Sequence, residues 1–487
     1  MRIIDNDLLS IQEARILVEN SVESQKELLK LAPNEIDKII LNFLDKIPEY
    51  LKEYLVYNYD ETKIGKVEDE LFLLKKFISK MKEEIIKIKC VGCIKKDENE
   101  KIIEVGVPYG VIAAFSSEKN SILTFIYYII IAIKSQNSIV MVCNRKNSKT
   151  LSKFLKIAIK LLELEGIPEG TISYLSNVSL NGYKEIINHK NVNLLLNTDC
   201  IEILEECKKS GKLMIYGDYG NTPVFIERSA NIEEAVVNII KSKMLNYGVA
   251  PGSEQALVVE KVIVDEVKRK FLEKDCYFMT EKESNNLKEI LFDKNGSFNK
   301  KYIGKSAQIL AREAGFEIDK KIKLLITSEK YLTLDSTYAK EKLCPVLDFY
   351  IEDDWENACE KCIELLLNGN KGHTLILYSN DEKVIEQFCL RKPVGRILVN
   401  SSGVLGSMGI ITDFFPAVTL GSGVTGMGVT SDNVSPLNLI YKRKVGYEKF
   451  KENSNSNYKK IIEKRIEKSI NSELEEKIKK LLLEIIE

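Results

Sequence analysis

The loop between an amphipathic helix and a buried strand near the middle of the chain has the placement of a reactive site. The stretch reads SKMLNYGVAPGSEQALVVE, residues 242–260, and the turn at its centre is Ala250-Pro251-Gly252. Loops that are held by a rigid helix and strand often carry catalytic groups. Proline has no thiol, no hydroxyl and no backbone N–H. The position is therefore suited to a nucleophile, and the residue that occupies it cannot act as one.

The spacing of the other cysteines does not favour a metal site. The chain has ten cysteines, and two pairs have the CxxC spacing, Cys90 with Cys93 and Cys359 with Cys362. Neither pair has a second pair at the spacing of a zinc ribbon, and the chain contains only two histidines. We interpret both pairs as reduced thiols and predict no metal site.

Composition narrows the class of protein. The chain has 487 residues, more than one compact core usually holds, so we expect two or three domains. With 71 basic and 72 acidic residues the formal net charge is −1, which provides no general attraction for nucleic-acid phosphates. The most apolar run, residues 122–133, is too short to cross a membrane, and the charged amphipathic N-terminus is unlike a signal peptide. We therefore predict a cytoplasmic protein that binds neither nucleic acid nor membrane.

The spacing of apolar residues changes along the chain. Helical spacing dominates up to residue 86, and residues 88–107 alternate around a polar turn as a hairpin does. From residue 109 strands and helices alternate, and a second such series begins near residue 222. This alternation predicts α/β domains with parallel sheets and right-handed crossovers. The glycine-rich segment 403–428 is expected to be a loop that forms no core.

The end of the sequence has its own pattern. Beyond residue 444 the chain becomes polar, and KENSNSN has the composition of a linker. The last segment, NSELEEKIKKLLLEIIE, begins with a capping box formed by Ser472 and Glu475, and it predicts an amphipathic helix. The apolar face of that helix contains Leu474, Ile478, Leu481, Leu482 and Ile485. Two interpretations remain open: a terminal helix packed on its own domain, or a segment, residues 471–487, that binds another protein.

Several separate motifs resemble, in the same order, those of the CoA-acylating aldehyde dehydrogenases, including the aldehyde half of the bifunctional aldehyde–alcohol dehydrogenases. The loop YGVAPGSEQ matches the glycine and the Ser-Glu-Gln of their active-site loop, and PYGVIAAFSSEKN (108–120) matches their first strand and oxyanion loop. The other matching segments are ETKIGKVEDE (61–70), KYIGKSAQILAREAG (301–315), EKLCPVLDFY (341–350), GHTLILYSND (372–381), GRILVNSSGVLGSMG (395–409) and TLGSGVTGMGVTSDNVSPLNLI (419–440). The resemblance covers about residues 10–445.

The resemblance implies an α/β aldehyde dehydrogenase fold, with a Rossmann-like parallel sheet domain, a second α/β domain and oligomerisation arms. A homo-oligomer, a dimer or larger, is implied as well. The expected divisions are a dinucleotide-binding-type domain at 1–221 with a hairpin arm at about 88–107, a catalytic-type α/β domain at 222–400, a C-terminal return and oligomerisation segment at 401–447, and a polar linker and tail helix at 448–487.

The reaction of that family needs a thiol where this chain has Pro251. In the family a cysteine thiolate attacks the aldehyde, hydride passes to the nicotinamide of NAD(P), and coenzyme A takes the acyl group from the resulting thioester. Alignment of Gly248 and residues 253–255 places that cysteine at Pro251, and no other cysteine lies in the loop. Asn120 matches the asparagine that stabilises the developing oxyanion. The resemblance therefore implies a lost nucleophile beside a retained oxyanion position.

The cofactor residues are only partly retained. Where the family has a Gly-Gly-Pro-Gly loop that meets the dinucleotide, this chain reads DCIE, and the carboxylates of Asp199 and Glu202 predict repulsion of the pyrophosphate. Glu341 matches the glutamate that holds a cofactor ribose. In the next glycine motif only Gly220 and Asn221 are in register. The bulky Tyr216 and Asp218 replace glycines there, so we expect them to crowd the cofactor.

Each retained residue also has a structural interpretation that needs no chemistry. Asn120 would cap a helix, Glu341 would be a solvated charge, and Ser431 with Asp432 would hold a turn. Two hypotheses for the whole protein follow. The first is a catalytically impaired structural or regulatory homologue in a bacterial microcompartment, whose partner is an active paralogue or, through 471–487, a shell protein. The second is an active NAD(P)-dependent acylating aldehyde dehydrogenase that converts an aldehyde and coenzyme A to acyl-CoA.

Overall fold

A helical layer comes first in the computed structural model, which describes residues 5–97, 102–217, 220–294, 296–332, 337–368, 373–423 and 428–447. Its members are α1 (Asn6–Leu28), α2 (Pro33–Lys46), α3 (Pro48–Thr62) and α4 (Val67–Ile85). Asp5 caps α1 by accepting from the amides of Asp7 and Leu8, and a proline occupies the first turn of both α2 and α3, where no amide partner is lost. The predicted N-terminal helices are therefore present.

The predicted hairpin forms an arm. Strands β1 (Gly92–Asp97) and β2 (Ile102–Pro108) pair antiparallel, and β15 (Ile440–Gly446) joins the free side of β2. The hairpin prediction is confirmed. The strand that completes the arm comes from the far end of the described chain, and the sequence spacing gave no indication of that pairing.

The first parallel sheet has five strands. These are β3 (Val111–Ser116), β4 (Ser138–Val142), β5 (Ile172–Leu175), β6 (Val192–Thr198) and β7 (Leu213–Gly217), in the order β5-β4-β3-β6-β7. The connecting helices are α5 (Ser121–Lys134), α6 (Ser148–Leu164), α7 (Leu180–Asn188) and α8 (Leu204–Lys209). All 14 residues of α5 are buried, which explains its unbroken apolar sequence. The strand order reverses between β3 and β6, so a crevice opens at their carboxyl ends.

The second parallel sheet has seven strands, in the order β10-β11-β12-β9-β8-β13-β14. They are β8 (Pro223–Ile226), β9 (Ala256–Glu260), β10 (Cys276–Phe278), β11 (Leu324–Ser328), β12 (Val346–Glu352), β13 (Thr374–Tyr378) and β14 (Arg396–Val399). The accompanying helices are α9 (Ile232–Met244), α10 (Val264–Glu273), α11 (Glu281–Leu291), α12 (Ala307–Glu313), α13 (Trp355–Asn368) and α14 (Glu382–Arg391). Two parallel sheets with covering helices confirm the predicted fold class. Among the described helices none is both long and apolar enough to cross a membrane.

The glycine-rich segment corrects one expectation. It contains a short helix, α15 (Gly403–Ser407), and its apolar side chains Val404, Met408 and Ala417 are completely buried in the largest core cluster. The glycines permit this packing, because a Cβ at Gly403 would lie 2.6 Å from a carboxylate oxygen of Glu254. The segment therefore forms core, and the prediction of a loop outside the core was wrong.

We expect Gly106→Ala in β2 to destabilise the arm, because a Cβ there would lie 1.8 Å from the carbonyl oxygen of Cys90. The matched control is Gly446→Ala in β15 of the same sheet, where a Cβ meets nothing within 4 Å. Overpacking of this kind costs ~1–3 kcal/mol, whereas the control should change the free energy of unfolding by less than ~0.5 kcal/mol. Urea unfolding of both variants measures the difference, and equal stabilities would contradict the packing described here.

Candidate active site

A small cavity lies at the carboxyl ends of β3 and β6. Its volume is about 50 Å³, which holds only a few water molecules. The sequence-predicted residues Pro251, Asn120, Asp199 and Glu341 all line it, and so does His373. The structure therefore brings together residues that are far apart in the sequence, and it adds a histidine that spacing alone did not assign to a site.

The loop that carries Pro251 is held in an unusual backbone conformation. Asn246 and Tyr247 have φ values of 53° and 52°, in the left-handed region. The side-chain oxygen of Asn246 accepts from the amide of Lys66 at 2.7 Å, and the amide of Asn246 donates to Asp69 at 3.1 Å. A Cβ at Gly65 would lie 1.8 Å from that side-chain oxygen. The segment at 61–70 therefore clamps the loop to the start of α4.

Asn120 is also tied to this loop. It immediately precedes α5 with a φ of 47°, and its side chain makes no capping hydrogen bond. Its amide nitrogen donates to the carbonyl oxygen of Val249 at 3.2 Å, and its amide oxygen accepts from Asn246 at 3.1 Å. The capping interpretation is wrong. One N–H of the candidate oxyanion donor is already bonded to the loop.

No cysteine is among the described residues that line the Pro251 cavity. The cysteines nearest to the loop in sequence, Cys207 and Cys276, are buried in cores beside the first and the second sheet. Cys200 lines a larger neighbouring cavity of about 490 Å³, and burial raises the pKa of its thiol to about 12. A thiol with that pKa is almost entirely protonated at neutral pH, so it is a poor nucleophile.

His373 is a neutral group at the site. It is 3% exposed, and burial, with a contribution from Arg396, lowers the pKa of its imidazole to about 3. Its ring nitrogen Nδ1 lies 2.7 Å from the hydroxyl of Thr374. At neutral pH the ring can exchange hydrogen bonds with a ligand but carries no charge.

The acidic residues at the strand ends are not simple repulsive charges. Asp199 forms an ion pair with Lys119, and both side chains are largely buried, at 14% and 12% exposure. The charge of Asp199 is therefore paired within the protein, and the repulsion of a cofactor phosphate by Asp199 and Glu202 stays a prediction. Glu202 is exposed on the wall of the larger cavity, and Glu341 lines both cavities.

The turn after β6 does not offer its amides to an anion. The amide of Asp199 donates to the carbonyl oxygen of Gly217 at 3.0 Å. The amide of Cys200 donates to the side chain of Asn197 at 2.9 Å. A pyrophosphate at a strand–helix turn is normally held by such amides. The amides of residues 199 and 200 are therefore directed into the protein and do not fit the pyrophosphate of a dinucleotide.

Three residues of the second glycine motif, Tyr216, Gly220 and Asn221, line neither of the two cavities. Asn221 is completely buried and its amide donates to the carbonyl oxygens of Ala339 and Leu365, at 2.6 and 3.0 Å, so it joins structural elements. Gly220 and Tyr216 are buried and line neither cavity. The expected crowding of a cofactor by Tyr216 stays a prediction, and Asp218 lies outside the described residues.

The C-terminal motif supports the structural interpretation. The carboxylate of Asp432 accepts from Thr430 at 2.9 Å and from Asn438 at 3.0 Å, which closes a turn. The amide of Asn433 donates to the carbonyl oxygens of Ser407 and Phe415, at 2.8 and 2.9 Å. These contacts hold the glycine-rich segment together, and Val418 and Leu420 of that segment line the Pro251 cavity.

Buried polar groups lie behind the loop. Glu254 is completely buried and accepts from the amide of Gly403 at 2.8 Å. Gln255 accepts from the amide of Lys342 at 2.8 Å and from the ammonium of Lys243 at 3.4 Å. Burial lowers the pKa of Lys243 to about 8. The Ser-Glu-Gln segment therefore fixes the loop from the inside.

Comparison with known proteins agrees with the fold. The family model described as "Aldehyde dehydrogenase family" matches residues 7–280. The bifunctional aldehyde-alcohol dehydrogenase AdhE of Escherichia coli is 28% identical over 90% of this chain, and the aldehyde-alcohol dehydrogenase of Clostridium acetobutylicum is 31% identical over 86%. This chain spans about half the length of those two relatives, 49% of each. A crystal structure of an acetylating aldehyde dehydrogenase from Geobacillus thermoglucosidasius, 34% identical, covers 93% of this chain and 100% of its own, with a TM-score of 0.88.

The chain belongs to the aldehyde dehydrogenase family. Within that family, the proteins it resembles include members named acetylating or aldehyde-alcohol dehydrogenases.

The buried carboxyl of Glu254 predicts that the free energy of unfolding depends on pH. Burial raises the pKa of its carboxyl from 4.5 to about 7. Between those values the folded protein keeps a proton that the unfolded chain has released, so this group reduces stability as the pH rises through that window. Glu254→Gln cannot ionise. Its free energy of unfolding, relative to the unaltered protein, should therefore increase by about 3 kcal/mol from pH 5 to pH 8.

Urea unfolding at each pH measures that increase, with Glu202→Gln as the control at an exposed position. If the difference between Glu254→Gln and the unaltered protein is the same at both pH values, Glu254 is not titrating as described.

Proposed function

We propose that this chain is a catalytically impaired member of the aldehyde dehydrogenase family with a structural or regulatory role. The observation that carries the proposal is Pro251, which lies in the cavity beside Asn120 where the family resemblance implies a cysteine. Acyl transfer through a covalent intermediate requires a nucleophile that can later leave. Proline supplies neither function, and among the described residues none that lines the Pro251 cavity supplies a thiol.

The cofactors implied by the resemblance, NAD(P) and coenzyme A, give further support. The amides at the turn after β6 are bonded within the protein, and Lys119 is paired with Asp199. We therefore derive no step through a dinucleotide. The residues that remain suited to ligand contact are Asn120, His373 and Glu341, which can exchange hydrogen bonds with a small polar molecule.

The alternative function is an active NAD(P)-dependent acylating aldehyde dehydrogenase. One observation favours it, because Asn120 still lies beside the loop at residue 251, with a second polar group, His373, in the same cavity. This function requires a nucleophile from outside the loop. Cys200 is the described cysteine on the wall of the adjoining cavity, and its raised pKa argues against that role.

We expect the purified protein to form no NADH above background with acetaldehyde or propionaldehyde, NAD and coenzyme A. Pro251→Cys should become alkylated by iodoacetamide at residue 251, because the position lines a cavity. It should still turn over below ~1 per second, the low end of the usual enzyme range, because the turn amides stay occupied. Pro251→Ala is the control. It removes the proline ring without adding a thiol, so any effect that it shares with Pro251→Cys comes from the loop and not from thiol chemistry. Turnover of the unaltered protein within the enzyme range would establish the alternative function.

The tail supports a partner-binding role in this proposal. The predicted amphipathic segment at 471–487 lies outside the described residues, and its partner in the proposal is a microcompartment shell protein. The three-stranded arm with its outer strand β15 supports a homo-oligomer, since an unpaired strand edge can join another chain.

We expect the full chain, fused at its N-terminus to a fluorescent protein, to concentrate in puncta when shell proteins are co-expressed. Deletion of 451–487 should make the fluorescence diffuse. Leu481→Glu should do the same, because it places a charge on the predicted apolar face, whereas Lys480→Glu on the opposite face should not. Diffuse fluorescence of the unaltered fusion would remove the targeting role and leave the proposal on activity unaffected.

A further inference from the structure

An internal ion pair occupies the position in the first sheet where a ligand is normally bound. In open parallel α/β sheets, ligands bind outside the carboxyl ends of the strands at the point where the strand order reverses. Here that point lies between β3, which ends at Ser116, and β6, which ends at Thr198. Lys119 follows the first strand and Asp199 follows the second, and their side chains meet across the crevice.

We propose that the carboxylate of Asp199 takes the place of a ligand phosphate at this crevice and thereby excludes phosphate-bearing ligands. The cation Lys119 lies on one side of the crevice, and the anion on the other side is the side chain of Asp199 and not a ligand. A phosphate would need the same cation and the same turn amides. The amides of residues 199 and 200 are directed to Gly217 and Asn197, so the protein satisfies by itself the groups that an anion would use.

The charge of Lys119 is already paired with Asp199, so a ligand anion can bind Lys119 only by replacing the Asp199 carboxylate. Burial alone would lower the pKa of this ammonium, but the charges of Asp199 and then of Glu341 outweigh burial and raise it. Lys119 therefore stays charged at neutral pH. Removal of the Asp199 charge takes away the largest opposite charge acting on this largely buried cation, while Glu341 and Glu118 remain, and the cation then favours an incoming anion more strongly. This inference concerns binding. It rests on the proposed function, since an active NAD(P)-dependent enzyme would have to bind phosphate-bearing cofactors, and its test measures affinity and not turnover.

The inference differs from simple repulsion in a measurable way. Repulsion would act through every carboxylate on the cavity wall, including the exposed Glu202. If the Asp199 carboxylate instead occupies the position of the phosphate, exclusion acts through Asp199 alone and requires Lys119. The two explanations therefore predict different results for single and double variants.

The test is isothermal titration of inorganic pyrophosphate into the full-length protein at low ionic strength. Asp199→Asn keeps the shape of the side chain and suits the φ of 56° at this position, because asparagine tolerates the left-handed region. We expect this variant to bind pyrophosphate at least about tenfold more tightly than the unaltered protein, since a charge-assisted contact becomes available. Glu202→Gln should change the affinity less than about threefold, as exposed charges are screened.

The double variant Lys119→Met, Asp199→Asn should lose the whole gain. Asp199→Gly, which also suits the left-handed backbone, repeats the experiment if the asparagine variant does not fold, and melting temperatures identify such a failure. Three results would overturn the inference: pyrophosphate binding by the unaltered protein as tight as by Asp199→Asn, an equal gain from Glu202→Gln, or a gain that persists without Lys119. None of these results depends on an activity assay, so they can be distinguished from failure of the proposed function.

Discussion

The side chain of Asn246 is the constraint on which the loop around residue 251 depends. One amide group accepts from the backbone of Lys66 and donates to Asn120, and the backbone of the same residue donates to Asp69. Three segments that are distant in the sequence are thereby held at one point. A left-handed backbone at a non-glycine residue costs free energy, and these bonds offset it. The conformation of the loop is thus held by contacts that do not involve residue 251.

The crevice at the reversal of strand order is arranged as a set of charges and donors that are already paired. Lys119 holds Asp199, Lys146 holds Glu118 at 2.6 Å, and the turn amides are bonded to Gly217 and Asn197. These charges and amides therefore have partners within the protein when no ligand is bound. Any molecule that binds there has to exchange existing bonds for its own, which limits the net gain.

The sequence predicted the large features of this structure because they depend on periodicity and strand order. Alternating apolar strands and helices indicated two parallel sheets, and the motif order indicated that Asn120 and Pro251 would share a cavity. The partner of Asp199 could not be predicted, since Lys119 is distant in sequence and meets it only when β3 and β6 become neighbours. The partners of Asn221 could not be predicted either, because its position near the end of a strand does not determine where its side chain points. The glycine-rich segment was misread because its glycines concealed apolar residues that pack closely.

The strand β15 has a consequence for how the end of the chain can act. It pairs along the whole of β2, so the described chain ends at Tyr447 beside the arm and not beside the cavity. A further 40 residues follow, at 448–487. A partner bound by them is tethered at the arm, where its effective concentration is set by the length of the intervening chain. In the proposed function, recruitment by residues 471–487 and ligand binding at the cavity would therefore belong to different parts of the molecule. Recruitment could then be altered by changing the length of chain between the arm and residues 471–487, while ligand binding is left unchanged.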